Sequence, residues 1–475
     1  MRTAEDVDLP LLVDRTGRGD LRQQVAEQLR SALRAGSFHA GSRLPSSRTL
    51  AAHLRVSRAT VVAALAELEG EGWVESRHGS GTYVGPGVHL GPGSAPAPPD
   101  GTPPSRTSEA GAAASVGSVD LVPGRPDTRG LVDPAWRRAW REVAVAPVPS
   151  ADPSPVGVLE LREALAAHVR RARGLECGPD QVVVTAGTGD ALRLLADATG
   201  LAGARAVVED PGYPSGRAVL ERAGARLHPV SVDTDGVVVG HLREAPSDAR
   251  LLYLTPSHQY PLGGRLPVDR RLEVLRWAAE RDALVVEDDY DGEFRFGALP
   301  VPALASLDTS GRVAYVGTLS KAVAPGLRVG FAVVRPHLVT AVVRVREATG
   351  MPVSELVQRA LASYVGGGGL RRHVTRQRRV YAERRARLVR RLEALDGLVA
   401  VRGLDAGLHA VLSLPPDRPA APLVRALAGV GILVADLDEY RMVPDPGEPG
   451  LVVGYGHATP AELDRALDAL ARALR

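Results

Sequence analysis

The chain has 475 residues, 44% hydrophobic and 24% charged, which suits roughly two to four globular domains with a sizeable core. Fifty-eight Lys and Arg against 55 Asp and Glu leave a net charge of only +3, which excludes a polycation, so any nucleic-acid surface must be local. The single cysteine, Cys177, excludes an intrachain disulfide and fits a reducing cytoplasm, and no run of about 18 apolar residues offers a membrane span.

Met1 to Asp20 is charged and has no apolar core, so no secretory signal is expected. Leu21, Val25, Leu29 and Leu33 then recur at helical spacing, with Gly36 as a stop. Pro45-Ser46-Ser47 starts a second helix over Arg48–Leu54, and Ser57 caps a third over 58–69, with Val61, Leu65 and Leu68 facing inward. Two short strands, 73–75 and 82–84, flank Arg77-His78-Gly79-Ser80-Gly81. This order predicts a winged helix-turn-helix over residues 1–85. Such a unit lays its second motif helix in the major groove, its first residues at base edges. Here those residues are Ser57, Arg58 and Thr60, with Arg58 suited to guanine. Arg43 and Arg48 fall where phosphates would lie, and the tip His78-Gly79 is placed to approach the backbone or minor groove. A small helical bundle with a solvated basic face is the plainer alternative for these arginines alone.

Residues 86–118 are dominated by Pro, Gly, Ala, Ser and Thr without an apolar period, which predicts a flexible linker. Beyond it, over 119–475, helical periods alternate with short apolar runs: a helix at 159–171, a strand at 182–184, a helix from Asp190, and strands near 206–209, 251–255, 284–287, 312–316 and 330–334. Alternation of this kind predicts a mostly parallel α/β sheet wrapped by helices. A long basic helix through Arg371, Arg372, Arg376, Arg378, Arg379, Arg384 and Arg385 follows, its face either solvated or turned to DNA or a partner. Residues 380–475 suggest a smaller α+β lobe.

Gly317-Thr318-Leu319-Ser320-Lys321, followed by Pro325-Gly326-Leu327-Arg328, organises this second part. A lysine that forms a Schiff base needs a shielded pocket. The Thr318 and Ser320 hydroxyls can bond a phosphate, and Arg328 can pair with it. An isolated Ser-Lys is more often a surface lysine; its company decides otherwise. Gly187-Thr188-Gly189 lies between a strand and a helix, where backbone N–H groups favour an anion. Tyr213 in Asp210-Pro211-Gly212-Tyr213-Pro214 offers a ring to stack on a pyridine. Glu287-Asp288-Asp289-Tyr290-Asp291 offers a carboxylate for a pyridine nitrogen. Together these groups suit pyridoxal 5'-phosphate (PLP). No His/Cys set has the spacing of metal ligands.

Gly41-Ser42-Arg43-Leu44-Pro45-Ser46-Ser47-Arg48-Thr49-Leu50-Ala51 and Gly79-Ser80-Gly81-Thr82-Tyr83-Val84 resemble the GntR-type winged-helix repressors. The strand-end segments together are similar to fold-type I aminotransferases, and the pair of domains resembles the MocR family of GntR-type regulators. Ser257-His258-Gln259-Tyr260-Pro261, Glu287-Asp288-Asp289-Tyr290-Asp291 and Gly317-Thr318-Leu319-Ser320-Lys321 with Pro325-Gly326-Leu327-Arg328 resemble the MocR family more than a generic transaminase. The resemblance implies Lys321 as the Schiff-base lysine and Asp288 at the pyridine nitrogen. It implies Tyr290 near the phenolic oxygen, Tyr213 stacked on the ring, and Gly187, Thr188, Thr318 and Arg328 around the phosphate. It also implies a head-to-tail homodimer. Two positions depart from the fold-type I pattern. Ser150-Ala151-Asp152-Pro153 lacks a tyrosine, and Leu437-Asp438-Glu439-Tyr440-Arg441 carries Glu439 where a carboxylate-binding arginine is usual.

The expected function is a PLP-dependent regulator of transcription that binds double-stranded operator DNA in the cytoplasm. It would sense PLP or an amino compound and control, on this reading, genes of vitamin B6 synthesis. The alternatives are a working aminotransferase with a regulatory DNA-binding domain, and a DNA-binding protein whose enzyme-like domain only dimerises.

Overall fold

The computed structural model describes residues 13, 20–34, 38, 41–70, 73–77, 80–85, 118–296, 302–393, 397–443 and 448–475. The chain divides into two compact units, Met1–Ser105 and Arg106–Arg475. His78, Gly79 and the expected linker up to residue 117 lie outside the described residues. Among the described residues no helix is long and apolar enough to cross a membrane.

The first unit contains helices α1 (Leu21–Arg34), α2 (Ser47–Leu54) and α3 (Arg58–Gly70) and a hairpin of β1 (Val74–Arg77) with β2 (Gly81–Val84). Its helices amount to roughly ten turns in all, too few to stand without packing. They are held by one cluster that includes Val25, Leu29 and Leu33 from α1, Leu50 and Leu54 from α2, Val61, Leu65 and Leu68 from α3, and Val74 and Val84 from the hairpin. Both motif helices start on hydroxyl caps. Ser46 accepts from the Thr49 N–H at 3.1 Å, and Ser57 accepts from the Thr60 N–H at 3.0 Å.

The second unit opens with β3 (Val119–Asp120), α4 (Pro134–Val145) and α5 (Leu159–Arg173), and then builds its sheet. In chain order come β4 (Val182–Thr185), α6 (Thr188–Ala198), β5 (Arg205–Asp210), α7 (Pro214–Arg222), β6 (Arg226–Asp233), β7 (Gly236–Val237), α8 (Val239–Glu244), β8 (Ala249–Leu254), α9 (Val268–Arg281) and β9 (Leu284–Asp289). They are followed by β10 (Val313–Thr318), α10 (Leu319–Ala322), β11 (Gly330–Val333), α11 (Pro336–Thr349) and α12 (Glu355–Gly366). The eight strands lie in the order β4-β11-β10-β9-β8-β5-β6-β7. β10, β9, β8, β5 and β6 are parallel, and β11 runs against both of its neighbours. Val182 and Val184 join the core on one face while Val183 joins that on the other, so the apolar runs read as continuous because both faces are covered. Helix α6 starts at Thr188, two residues before the expected Asp190.

Helix α13 (Gly369–Glu393) straddles two cores. Leu370, Val374 and Tyr381 pack with the large sheet, and Leu388 and Leu392 with the small lobe. That lobe adds β12 (Ala400–Arg402), β13 (His409–Ser413), α14 (Ala420–Gly429), β14 (Ile432–Leu433), β15 (Ala435–Asp436), β16 (Gly450–Gly454) and α15 (Pro460–Leu474). Its sheet has the order β12-β13-β16-β15. The expected lobe of 380–475 is extended by residues from far earlier, because β3 pairs in parallel with β14.

The basic helix departs from expectation only at its later arginines, Arg384 and Arg385. Most of its charged face is exposed, but several arginines also bond groups within the unit. Arg384 is 5% exposed and binds the Asp127 carboxylate and the Gly456 carbonyl. Arg376 pairs with Asp133 at 2.7 Å, Arg378 donates to the Glu293 carbonyl at 2.6 Å, and Arg385 donates to the Leu404 carbonyl. Arg371, Arg372, Arg376, Arg378 and Arg379 are all exposed.

Candidate functional site

The strand period of two separates the three acids of β9. Asp288 shares a face with Val286 and, on the neighbouring strand, Tyr253. The Tyr253 hydroxyl donates to Asp288 Oδ2 at 2.7 Å. Asp288 Oδ1 is buried without a hydrogen-bond partner. Burial pushes the Asp288 carboxyl up to about 7, with Asp289 and Asp291 adding to the rise and the Tyr253 hydroxyl and Lys321 opposing it. Glu287 and Asp289 face the other way. Asp289 Oδ2 accepts from the Tyr315 hydroxyl at 2.6 Å and pairs with Arg173 at 2.6 Å. Arg173 also donates to the Ser257 hydroxyl at 2.6 Å, which ties the end of β9 to the loop after β8.

Lys321 lies on the short α10, just past the end of β10. Its Nζ donates to the Gly124 carbonyl. Burial holds the ammonium below the usual lysine range, opposed by Asp288 and Asp291 and reinforced by Arg328. Tyr213 caps the start of α7, and its phenol is raised by burial and then by Asp288, with Arg328 opposing. Lys321, Asp288, Tyr213 and Arg328 therefore feel one another in one region. Tyr290 joins them: burial raises its phenol well above the ordinary value, and Asp291, Tyr260 and Asp288 add to the rise. Its hydroxyl lies 2.8 Å from His258 Nδ1.

The remaining predicted residues form one row. Thr318 of β10 is opposite Gly330 of β11, and Gly330 is opposite Thr185 of β4, just before Gly187. A side chain at Gly330 would come within 2.9 Å of Gly187 Cα, so the row closes only over glycine. Gly187 has φ +93° and opens α6, and a Cβ there would meet nothing within 4 Å. The first N–H groups of an α-helix have no intrahelical partner and attract an anion. Asp190, in the first turn of α6, is drawn aside by the Ala186 N–H at 2.8 Å and by Arg346. Thr318 accepts from the Ser320 N–H at 3.1 Å, and Arg328 closes the turn after Pro325 with φ +50°.

In the first unit, Ser57, Arg58 and Thr60 stand together at the start of α3. The Ser57 and Thr60 hydroxyls are 2.8 Å apart, and the exposed Arg58 donates to the Ser47 hydroxyl at 3.3 Å. Arg48 is exposed on the first turn of α2. Arg43 forms an isolated bridge with Tyr83 and lies over Gly81, where a Cβ would come within 2.8 Å of its Nε.

Residues 124–470 match the aminotransferase class I and II family, and residues 21–84 match the bacterial regulatory proteins of the gntR family. The chain is 38% identical to the HTH-type pyridoxine biosynthesis transcriptional regulator PdxR of Corynebacterium glutamicum, over 94% of this chain and 95% of that one. It is 34% identical to the probable rhizopine catabolism regulatory protein MocR of Rhizobium meliloti, over 97% of this chain and 95% of that one. The chain belongs to the MocR family of GntR-type transcription regulators.

Two solved structures show that the second unit of this MocR-family chain has the aminotransferase fold. A Pyrococcus horikoshii kynurenine aminotransferase in complex with PMP matches with TM-score 0.71 at 23% identity, over 78% of this chain and 95% of that one. An archaeal alanine:glyoxylate aminotransferase matches with TM-score 0.69 at 24% identity, over 77% and 92%.

Several residues around the MocR-family site carry no mark in the sequence. Tyr253 is a lone hydroxyl in an aliphatic strand, a weak sign that a polar partner lies beside it. Glu209 is buried, accepts from the Thr255 N–H and hydroxyl at 3.0 and 2.7 Å, and is pushed up to about 7 by that burial. Gly124 and Arg173 give no signal of this kind. Glu439 is exposed, and the inward residue of its loop is Tyr440, whose hydroxyl lies 3.5 Å from that of Tyr260. Arg441 pairs with Asp438 at 3.2 Å. His258, Asp291 and His409, distant in sequence, have ligand-capable atoms within 4.8 Å of one another. Two of their ring nitrogens face acceptors: His258 Nδ1 is 2.7 Å from Asp291 Oδ2, and His409 Nε2 is 2.9 Å from the Pro261 carbonyl, so each carries its hydrogen there. The set is a hydrogen-bonded cluster more than an ion cage.

Proposed function

We propose that this chain is a PLP-dependent, DNA-binding transcription regulator whose aminotransferase-like domain senses a small molecule, with PLP itself as the signal. The observation that carries the reading is Asp288 Oδ1, buried and unpaired, beside a lysine held below its usual pKa. A buried carboxylate oxygen without a donor is costly, and a protonated pyridine nitrogen is a donor that would satisfy it. When bound, PLP supplies an aldehyde for an amine and an electron-withdrawing ring.

Each residue has a role on this reading. Lys321, desolvated and with its ammonium held below the usual lysine range, would hold the aldehyde. Asp288 would keep the ring nitrogen protonated, and Tyr253 would hold Asp288 in place. Tyr213 would cover the ring, and Tyr290 would donate to the phenolic oxygen. Gly187, Thr188, Thr318 and Arg328 would hold the phosphate. In the first unit Ser57, Arg58 and Thr60 would meet bases, and Arg43 and Arg48 phosphates, with His78 and Gly79 at the wing.

The name of the Corynebacterium relative supports vitamin B6 synthesis genes as targets. A head-to-tail homodimer in the cytoplasm would carry two winged helices to one operator. PLP acts as a switch only if it binds the DNA-competent and incompetent arrangements unequally, and a 100-fold difference requires about 2.7 kcal/mol. Amino-group transfer is the second reading. The engagement of Arg441 with Asp438 and the exposure of Glu439 disfavour it, since neither offers a cation to a substrate carboxylate.

The deciding experiment is a titration of operator binding by apo-protein against PLP. A clear PLP-dependent change in operator affinity is expected. Equal affinity with and without PLP, together with a response to one amino compound, would return the effector role to that compound.

A further inference from the structure

Three polar groups meet behind the candidate cofactor site. His258 Nδ1 lies 2.7 Å from Asp291 Oδ2 and 2.8 Å from the Tyr290 hydroxyl. His258 is 2% exposed and Asp291 4% exposed. The small lobe closes over them. A side chain at Gly407 would come within 2.2 Å of Asp291 Oδ2 and 2.5 Å of His258 Cε1, so only glycine fits. The Gly407 N–H donates to the Phe294 carbonyl at 2.7 Å, and its carbonyl accepts from the Tyr455 hydroxyl at 2.7 Å. His409 packs its ring 5.1 Å from that of His258.

The protons of this cluster can be assigned. An imidazole nitrogen offers one N–H or one lone pair, and an ionised carboxylate only accepts. Nδ1 faces the Asp291 carboxylate, so Nδ1 carries the hydrogen. Nε2 is buried without a partner, and a second N–H there would be a buried donor with no acceptor. His258 is then a donor at Nδ1 with a bare Nε2. It takes no proton from Tyr290. It also takes up Asp291 Oδ2, and so weakens the pull of that carboxylate on the Tyr290 hydroxyl beside it.

We propose that His258 is a positioning residue: by taking up Asp291 Oδ2 it weakens the hold of that carboxylate on the Tyr290 hydroxyl, which can then donate to the anionic phenolic oxygen of PLP. The inference rests on the PLP reading above. Without His258, Asp291 becomes a buried carboxylate in need of a donor, and Tyr290 is the hydroxyl beside it. The phenolic oxygen then loses its donor and holds a proton to higher pH.

The test uses His258→Ala, His258→Asn and His258→Gln in the full chain. An asparagine amide can place its nitrogen near the position of Nδ1, and a glutamine amide places it near Nε2. The readouts are PLP affinity and the pH midpoint of the visible absorbance change of PLP-loaded protein. The other titratable and charged groups around Tyr290 are Asp288 and Asp291 at β9, Tyr260 after β8, Lys321 and Arg328 beyond β10, and His409 on β13. All are common to the three variants, so the contrast between Asn and Gln isolates the Nδ1 donor.

His258→Ala and His258→Gln should weaken PLP binding about tenfold and raise the midpoint by about one unit, while His258→Asn restores both. If His258→Ala does not fold, the Asn and Gln pair carries the comparison. Unchanged midpoints in all variants, or equal shifts in Asn and Gln, overturn the inference while leaving PLP binding intact. Wild-type protein that retains no PLP on dialysis, and shows no visible band that Lys321→Ala removes, overturns the PLP reading and this inference with it.

Discussion

The Lys321 ammonium donates a hydrogen bond to the backbone carbonyl of Gly124, 197 residues earlier in the chain. Gly124 has φ +101°, and a Cβ built there would stand 2.8 Å from Nζ. The segment after β3 thus forms a wall of the lysine pocket, and it can do so only as glycine.

Gly124→Ala should therefore act on both backbone and site. The left-handed conformation should cost about 1–2 kcal/mol of stability. The displaced ammonium should weaken PLP binding by about tenfold. Urea unfolding of apo-protein and equilibrium dialysis with PLP measure the two separately; wild-type values for both would show that the contact is unimportant.

Asp288 makes a prediction about pH. Its folded carboxyl keeps its proton up to about 7, against 3.8 for an unburied aspartate. A raised folded value means that its contribution to stability is fully present below pH 3.8 and is lost as pH rises through 7. Asp288→Asn keeps an acceptor for the Tyr253 hydroxyl and removes the charge. Apo-protein carrying it should gain on wild type from about pH 4 to pH 8, by on the order of 1–3 kcal/mol. Glu209 is also raised to about 7, by burial first and in part by the Asp288 charge, so Asp288→Asn relieves it as well and the two effects act in the same direction. With PLP the ranking should reverse, because a protonated ring nitrogen needs the carboxylate. Thermal melts across that range, with and without PLP, provide the check.

The start of α3 is tested by operator binding. Arg58→Ala should cost about 1–3 kcal/mol of specific affinity and relax the preference at one base position. Arg43→Ala should weaken binding to all sequences and lower the salt slope by about one. Because Arg43 also covers Gly81, its melting temperature should be measured alongside. Unchanged operator preference in Arg58→Ala would place base recognition elsewhere.

Arg384 is a stability test of the basic helix. Arg384→Ala leaves the buried Asp127 with Arg129 as its remaining cation, and should cost about 3 kcal/mol in urea unfolding at neutral pH. The Asp127 carboxyl stands at about 2; although burial opposes the shift, its bonds to Arg129 and Arg384 outweigh it. A depressed folded value means stability present above 3.8 and lost as pH falls toward 2, so the deficit of the variant should shrink over that window. A deficit independent of pH would point to lost packing rather than lost charge.

By itself the sequence determined what neighbours along the chain can decide. Hydroxyl caps at Ser46 and Ser57 and the spacing of Val25, Leu29 and Leu33 mark the first-unit helices because a helix is made of contacts three and four residues apart. The apolar runs mark the strands, and Gly187, Tyr213, Asp288 and Lys321 all fall within a few residues of a strand end. The tertiary structure decided which strands lie side by side, and with them the pairing of Tyr253 with Asp288, of Arg173 with Asp289 and Ser257, and of Gly124 with Lys321. It also decided that Arg384 of α13 is buried against the Asp127 carboxylate and the Gly456 carbonyl, where charge alone suggested a solvated or binding face. Periodicity tells which face a side chain takes but not what stands across from it, and that partner is supplied by packing residues far apart in the chain.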